Sequence, residues 1–389
     1  MELTKDEIKR YSRHLLLSEV GVEGQEKLKK ASVLIVGLGG LGSPLAMYLA
    51  ASGIGKLGLV DYDTVDVSNL QRQIIHGNSD IGRLKNDSAS EKLKEINPEI
   101  EVVLHNKSLT SQNALDIFGN YDIVVDGSDN FQTRYLVNDA CVLLGKPNVH
   151  GSVQRFEGQV SVFWAKQGPC YRCLFPKPPR AGSVPSCEEA GVLGVLPGVI
   201  GMLQSTEVIK LILENGKTLI GRLMLYNALD MKFSEITLKA NPDCPVCGDN
   251  PEIETLIDYD EFCGVKKKEN IDPNRPLIEE NWKKQKEMQP EILSKLLKEK
   301  YNMLLLDVRE PYEHDICNIE SSVLMPLNQI PNNLDALPKD KAIIVMCHHG
   351  SRSRSVVNHL LANGFEKVYN LEGGIDRYTV EVDTNIARY

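Results

Sequence analysis

Ser32-Val-Leu-Ile-Val36-Gly37-Leu-Gly39-Gly40-Leu-Gly42 is an apolar run that breaks into a glycine-rich turn, and residues 44–52 (PLAMYLAAS) continue with helical character. A strand, a G-x-G-x-x-G turn and a helix in that order form the context in which the glycines bring backbone close to a phosphate at a helix N-terminus. Working outward, further strands are expected at Lys56–Asp61, Ile100–His105 and Tyr121–Asp126, with helical stretches between them. That alternation predicts βαβ units and a Rossmann-like α/β sheet covered on both faces. From Glu157 to Trp164, Val160, Val162 and Trp164 alternate with Gln159, Ser161 and Phe163, which predicts an antiparallel strand and so a mixed sheet. A long apolar helix is expected at about 197–214, stopped by Gly216.

At 389 residues the chain has room for two or three domains. After Cys247 the composition turns to Lys, Glu, Asn and Pro, and periodic apolar content returns only near Ile292. The expected organisation is therefore a first domain at 1–248, a linker at 249–287 and a smaller α/β domain at 288–389. Strands of the latter are expected at Met303–Val308, Ala342–Cys347 and Lys367–Leu371, with a helix at Arg352–Asn363. A formal net charge of −9 argues against a nucleic-acid surface. No apolar run is read as membrane-spanning, the start MELTKDEIKRYSRH has no signal-type core, and the cytoplasm is the expected compartment. Nine cysteines in such a chain point to metal and thiol chemistry rather than disulfides.

Asp61 stands 24 residues after Gly37, where a carboxylate would receive ribose hydroxyls. A lone glycine fingerprint would suggest NAD, but the residues that follow suit a triphosphate. Asp63, the run Ser68-Asn69-Leu-Gln-Arg72-Gln73 and Lys85 bring amide and cationic donors. Asp126-Gly-Ser-Asp129-Asn130 ends another strand. Arg72 and Lys85 could hold phosphates while Asp129 holds Mg²⁺, the positioning and charge neutralisation that adenylyl transfer needs. Asp126 is open between two readings, a metal contact or a cap on the following turn.

Residues 1–248 resemble the MoeB/ThiF family of ubiquitin-activating-type enzymes. The stretches that carry the resemblance are GLGGLGSP, DYDTVDVSNLQRQ, DGSDNFQTRYLVND, RFEGQVSVF, PCYRCLFP, SCEEAGVLGVLPGVIGMLQSTEVIKL and CPVCG. The resemblance implies ATP-dependent adenylation of the C-terminal glycine of a ubiquitin-fold carrier ending in Gly-Gly, in a homodimer. It implies nucleotide contacts at Gly40, Asp61, Asn69, Arg72, Gln73, Lys85, Asp129 and Asn130, with Arg13 reaching the partner subunit's site. Gly127 and Ser128 stand where relatives often carry Cys and Thr; both carboxylates remain.

Cys170-Tyr-Arg-Cys173 and Cys244-Pro-Val-Cys247 are paired knuckles whose four thiolates suit a closed, structural Zn²⁺ site. Cys187 has two readings: it matches the position of the thioester cysteine of ubiquitin activation, or it is a dispensable loop residue.

Cys347-His-His-Gly-Ser-Arg352 lies between an apolar strand and a helix, where successive N–H groups can stabilise a thiolate or persulfide and Arg352 adds fixed charge. This segment resembles a rhodanese domain, in which the cysteine accepts sulfane sulfur. Related phosphatases place five residues between Cys and Arg; the four here favour sulfur. Asp307-Val-Arg309-Glu310, Glu313 and Glu372-Gly-Gly-Ile are also rhodanese-like, whereas Cys317-Asn-Ile-Glu-Ser-Ser322 departs from the usual GHIxGA.

The whole resembles the fused adenylyltransferase–sulfurtransferases of molybdopterin and thiolation pathways. That implies a carrier activated as an acyl-adenylate and converted to a thiocarboxylate by a Cys347 persulfide. The donor is expected to be thiosulfate or a cysteine desulfurase. Two other readings remain: an NAD-binding dehydrogenase-like protein, which has no use for the paired knuckles, and an adenylating enzyme whose rhodanese-like domain only docks.

Overall fold

The computed structural model describes residues 2–179, 190–264 and 286–389. The chain divides into two compact units, Met1–Lys267 and Lys268–Tyr389. Cys187 lies outside the described residues.

The first unit is built on one eight-stranded sheet in the order β3-β2-β1-β4-β5-β6-β7-β8. Its strands are β1 (Ser32–Val36), β2 (Lys56–Val60), β3 (Glu101–His105), β4 (Ile123–Asp126), β5 (Asn148–Gln154), β6 (Glu157–Phe163), β7 (Arg222–Asn227) and β8 (Lys232–Thr237). β3, β2, β1, β4 and β5 run parallel, and β5 through β8 run antiparallel. Strand β1 carries the fold because Val33, Leu34 and Ile35 are fully buried and feed both faces of the sheet. The chain leaves β1 toward β2 and β3 on one side, then returns to β4 on the other. That reversal opens a crevice at the carboxyl ends of β1 and β4, the ligand position of open α/β sheets.

The helix Val195–Leu213 packs on β5, β6 and the helix Gly42–Ser52. By length and composition alone it would pass for a membrane span, contrary to the expectation that no run reaches that size. Its place in the core explains the apolarity: Leu196, Ile200 and Val208 are fully buried. Its Glu207 also accepts the Leu219 N–H at 2.7 Å. The packed body runs past the boundary expected at residue 248. Tyr259 and Phe262, on a short helix at Tyr259–Phe262, join the cluster around Tyr135 and Tyr171.

The second unit is a five-stranded, all-parallel sheet in the order β11-β10-β12-β13-β9. Its strands are β9 (Glu287–Met288), β10 (Met303–Asp307), β11 (Val323–Leu324), β12 (Ala342–Met346) and β13 (Val368–Leu371). Apolar residues pack on both faces, as a parallel sheet requires. Central strand β12 is buried along its whole length; Cys347 follows its last residue, and the helix Ser351–Ala362 begins four residues after that cysteine.

Candidate active sites

At the crevice of the first unit lies a cavity of about 820 Å³. Gly37 leaves β1 with φ +88°, a backbone that favours glycine, and a Cβ on Gly42 would lie 2.0 Å from the Gly37 carbonyl. The turn therefore folds flat against the start of the helix Gly42–Ser52. Asp61, just past β2, accepts the Leu38 N–H at 2.8 Å and the Asp63 N–H at 2.9 Å, which fixes its carboxylate at the cavity floor. Burial outweighs those N–H groups and the nearby Lys85 cation and raises the Asp61 pKa above its ordinary value. Lys85, nearly buried at the start of the helix Lys85–Ile96, touches Asp63 through Nζ at 3.0 Å. Gln73 is buried, and among the described residues its Oε1 has no hydrogen-bond partner.

Gly37, Gly39, Asp61, Asp63, Gln73, Lys85, Asp129 and Asn130 all line this cavity. Gly40 and Arg72 line an adjoining cleft with Gly39, Gln73 and Asp129, and Arg72 Nη1 donates to the Ser68 carbonyl at 2.9 Å. Asn69 and Arg13 line neither; Arg13 is exposed on the short helix Ser12–Leu15. Asn130 also caps the helix Phe131–Leu144 by accepting the Thr133 N–H at 2.9 Å. Asp126 takes the capping alternative. Fully buried, it accepts from Ser128 N and Oγ at 3.0 and 2.6 Å and pairs with His150 Nδ1 at 3.0 Å. Burial alone would raise its pKa, but the His150 and Ser128 bonds outweigh it and hold the carboxyl below the usual value. Two walls had no motif to announce them: the stretch Lys107–Gln112 and the Asp258-Tyr259-Asp260 turn.

The four knuckle cysteines converge. Their sulfurs are 3.3 Å apart for Cys170 and Cys247, 3.4 Å for Cys173 and Cys247, 3.5 Å for Cys170 and Cys244, and 3.9 Å for Cys170 and Cys173. A tetrahedral cation with sulfur at about 2.3 Å sets sulfurs about 3.8 Å apart, so the donor set fits one. Inside the first knuckle, Arg172 is fully buried and forks onto Asp139 at 2.8 and 2.7 Å, where Tyr259 Oη also donates at 2.8 Å. That pair ties the knuckle to the core and to the Asp258–Asp260 wall of the cavity.

In the second unit Cys347 Sγ is buried and accepts from Gly350 N at 3.1 Å, Ser353 N at 3.4 Å and Ser353 Oγ at 3.2 Å. Gly350 (φ +91°) turns the loop into the helix. Arg352 forks onto Glu313 with both bonds at 2.7 Å. Burial alone would raise Glu313, but Arg352 and the Glu310 N–H outweigh it and lower the carboxyl. Arg309 in turn forks onto Asp307, both fully buried. Tyr389, which sequence reasoning did not single out, stacks on His348 with centroids 4.1 Å apart and planes within 3°.

Comparison with known proteins agrees with both halves. The ThiF family matches residues 11–246, and the rhodanese-like domain matches residues 289–381. "Probable adenylyltransferase/sulfurtransferase MoeZ" of Mycobacterium tuberculosis is 43% identical over 393 residues, covering 100% of this chain and 96% of its own. "Adenylyltransferase and sulfurtransferase MOCS3" of Culex quinquefasciatus is 43% identical over 100% of this chain and 91% of its own. "Sulfur carrier protein adenylyltransferase" of Thermus thermophilus is 53% identical over 68% of this chain and 100% of its own. Among solved structures, E. coli MccB with ATP superposes with a TM-score of 0.55 at 26% identity, over 62% of this chain and 75% of that one.

Proposed function

The chain belongs to the ThiF family and ends in a rhodanese-like domain, and on that premise we propose that it adenylates a sulfur-carrier protein and then sulfurates it. ATP occupies the 820 Å³ cavity, with its ribose on Asp61 and its phosphates along the Gly37–Gly42 turn, Lys85, Arg72 and Gln73. The helix N-terminus and the two cations stabilise the charge that develops as pyrophosphate leaves. Asp129, exposed on the cavity wall, is the carboxylate that would hold Mg²⁺, which neutralises phosphate charge when bound. Asn130 and Asp63 complete the polar rim, and Asn69 and Arg13 act from outside it, Arg13 on a partner subunit of a homodimer. Zn²⁺ is the cation that four thiolates in this geometry would hold, as a closed structural clip.

The carrier's C-terminal glycine carboxylate attacks the α-phosphate to give an acyl-adenylate and pyrophosphate. A persulfide on Cys347, loaded from thiosulfate or a cysteine desulfurase, then attacks the acyl carbon. A C–S bond forms, the C–O bond to AMP breaks, and AMP leaves with the electron pair. The product is an acyl disulfide; a thiol reduces its S–S bond to release the carrier thiocarboxylate, and Cys187 is a candidate for that thiol. Molybdopterin or a related sulfur-containing cofactor is the proposed destination.

The observation that carries the proposal is the three-donor seat of Cys347 Sγ in the same chain as a nucleotide-sized cavity. Its test is the intact mass of a Gly-Gly-terminated carrier incubated with the protein, ATP, Mg²⁺, thiosulfate and a reductant. An oxygen-to-sulfur mass gain that vanishes in Cys347→Ala, with pyrophosphate release intact, is the expected result. Pyrophosphate release with no mass gain in the wild type would leave an adenylating enzyme whose second unit only docks.

A further inference from the structure

Cys347 is fully buried, yet sulfur transfer requires a reagent to reach it. The residue beside it is also sealed. His348 is 3% exposed, and among the described residues both of its ring nitrogens are buried without a hydrogen-bond partner. Leaving polar nitrogens unpaired in a protein interior is unfavourable, so the seal has to be held from outside. Two rings lie against His348: His349, tilted at 3.9 Å, and Tyr389, stacked in parallel at 4.1 Å. The Tyr389 hydroxyl accepts from Arg309 Nη1 at 2.9 Å and donates to Glu313 Oε1 at 3.1 Å, the carboxylate that forks onto Arg352. Next to Tyr389, Arg388 pairs with Asp376, whose backbone N–H donates to the His348 carbonyl at 3.1 Å. Residues 388 and 389 are therefore each anchored to residues around the loop, while Ile386 packs into the unit's core.

We propose that Tyr389 is a positioning residue of the sulfur-transfer site: its ring seals the Cys347 loop in the resting protein, and its hydroxyl keeps the Glu313–Arg352 fork in register. This rests on the reading of Cys347 as the sulfur carrier. The strap protects a persulfide from small thiols and yields to a carrier tail that takes its place over His348. The two functions of Tyr389 separate by substitution. Tyr389→Phe keeps the stack and loses the hydroxyl; Tyr389→Ala loses both; Tyr389→Trp restores a ring.

The experiment is alkylation of Cys347 by iodoacetamide in the full-length protein, followed by peptide mass, with thermal melting of each variant alongside. Tyr389→Ala is expected to react about tenfold faster or more, as a seal lost by local opening should. Tyr389→Phe and Tyr389→Trp should stay within about twofold of wild type. Arg388→Ala, which frees the other anchor and leaves Tyr389 in place, should fall between and serves as the deciding variant if Tyr389→Ala does not fold. A rate unchanged in a folded Tyr389→Ala, or in Arg388→Ala should the former unfold, overturns the inference. Alkylation needs no turnover, so this outcome is distinct from failure of the sulfur-transfer reading, which would show as absent thiosulfate:cyanide turnover in the wild type.

Discussion

The Gly37 loop of the first unit and the Cys347 loop of the second are built alike. Each leaves the carboxyl end of a central parallel strand, turns at a positive-φ glycine (Gly37 at +88°, Gly350 at +91°) and enters a helix whose N-terminus faces the turn. They differ in what surrounds them. The first loop faces a cavity whose buried cation has a looser partner: among the described residues Lys85 Nζ pairs with Asp63, whose side chain is half exposed. The second closes on a single sulfur, and its cation Arg352 is locked in a fork with a buried carboxylate. The same helix-terminus electrostatics thus serves a ligand of many atoms where the lining can rearrange, and one atom where it cannot.

The sharpest way to break this comparison is to remove the movable cation. Lys85→Met should lower ATP–pyrophosphate exchange by about 10²–10³-fold, the usual loss for one donor to developing charge. Thiosulfate:cyanide turnover by the same protein should stay unchanged. If exchange survived, Lys85 would be only the structural partner of Asp63, and the contrast between a mobile and a locked cation would fail.

A smaller effect is expected from a matched pair of glycines. An ideal Cβ on Gly42 would lie 2.0 Å from the Gly37 carbonyl, and one on Gly374 would lie 2.2 Å from the His348 carbonyl. Gly374 also sits at φ +64°, where a side chain adds about 1–2 kcal/mol of strain. Overpacking of this kind costs about 1–3 kcal/mol, so each alanine should slow its own reaction roughly 10–10²-fold. Gly42→Ala should impair exchange alone and Gly374→Ala sulfur transfer alone. Loss of both activities in either variant would mean that the loops are not independent devices.

The sequence announced these loops better than their surroundings, for physical reasons. β1 and β12 are continuous apolar runs ending at residues with special backbone or chemistry, so Ser32–Val36 matched its observed bounds and the strand expected at Ala342–Cys347 overran the observed Ala342–Met346 by one residue. β5 was not foreseen because it is polar yet buried: His150 pairs with Asp126 and Ser152 with Gln159, partners that only the fold supplies. The two-residue strands β9 and β11 exist only through pairing with β13 and β10. Glu313 was legible from its neighbours in the chain, but Tyr389 reaches it from 76 residues away, through a contact that no local pattern encodes. The Asp258–Asp260 wall was hidden in the same way, because its anchor, Tyr259 on Asp139, spans 120 residues.

The smallest predicted effect concerns pH, where the two loops should respond with opposite sign. Burial, reinforced by the neighbouring His349, lowers the His348 pKa from 6.5 to about 4. Below 6.5 the unfolded chain takes up a proton that the folded loop refuses until about 4, so the stability due to neutral His348 is present above 6.5 and lost as pH falls through that window. Asp61 is shifted the other way, upward by burial, so acidification relieves its charged form in the folded state rather than penalising it. His348→Phe keeps a ring for Tyr389 to stack on and removes the titration. The melting temperature of this variant relative to wild type should rise steadily from pH 6.5 to 4. His76 in the first unit, lowered to about 4 mainly by its own burial, is common to both proteins and cancels in the difference. A difference that stays flat across the window would mean that His348 accepts its proton in the folded loop, and the closed loop would then be as open to solvent as the nucleotide cavity.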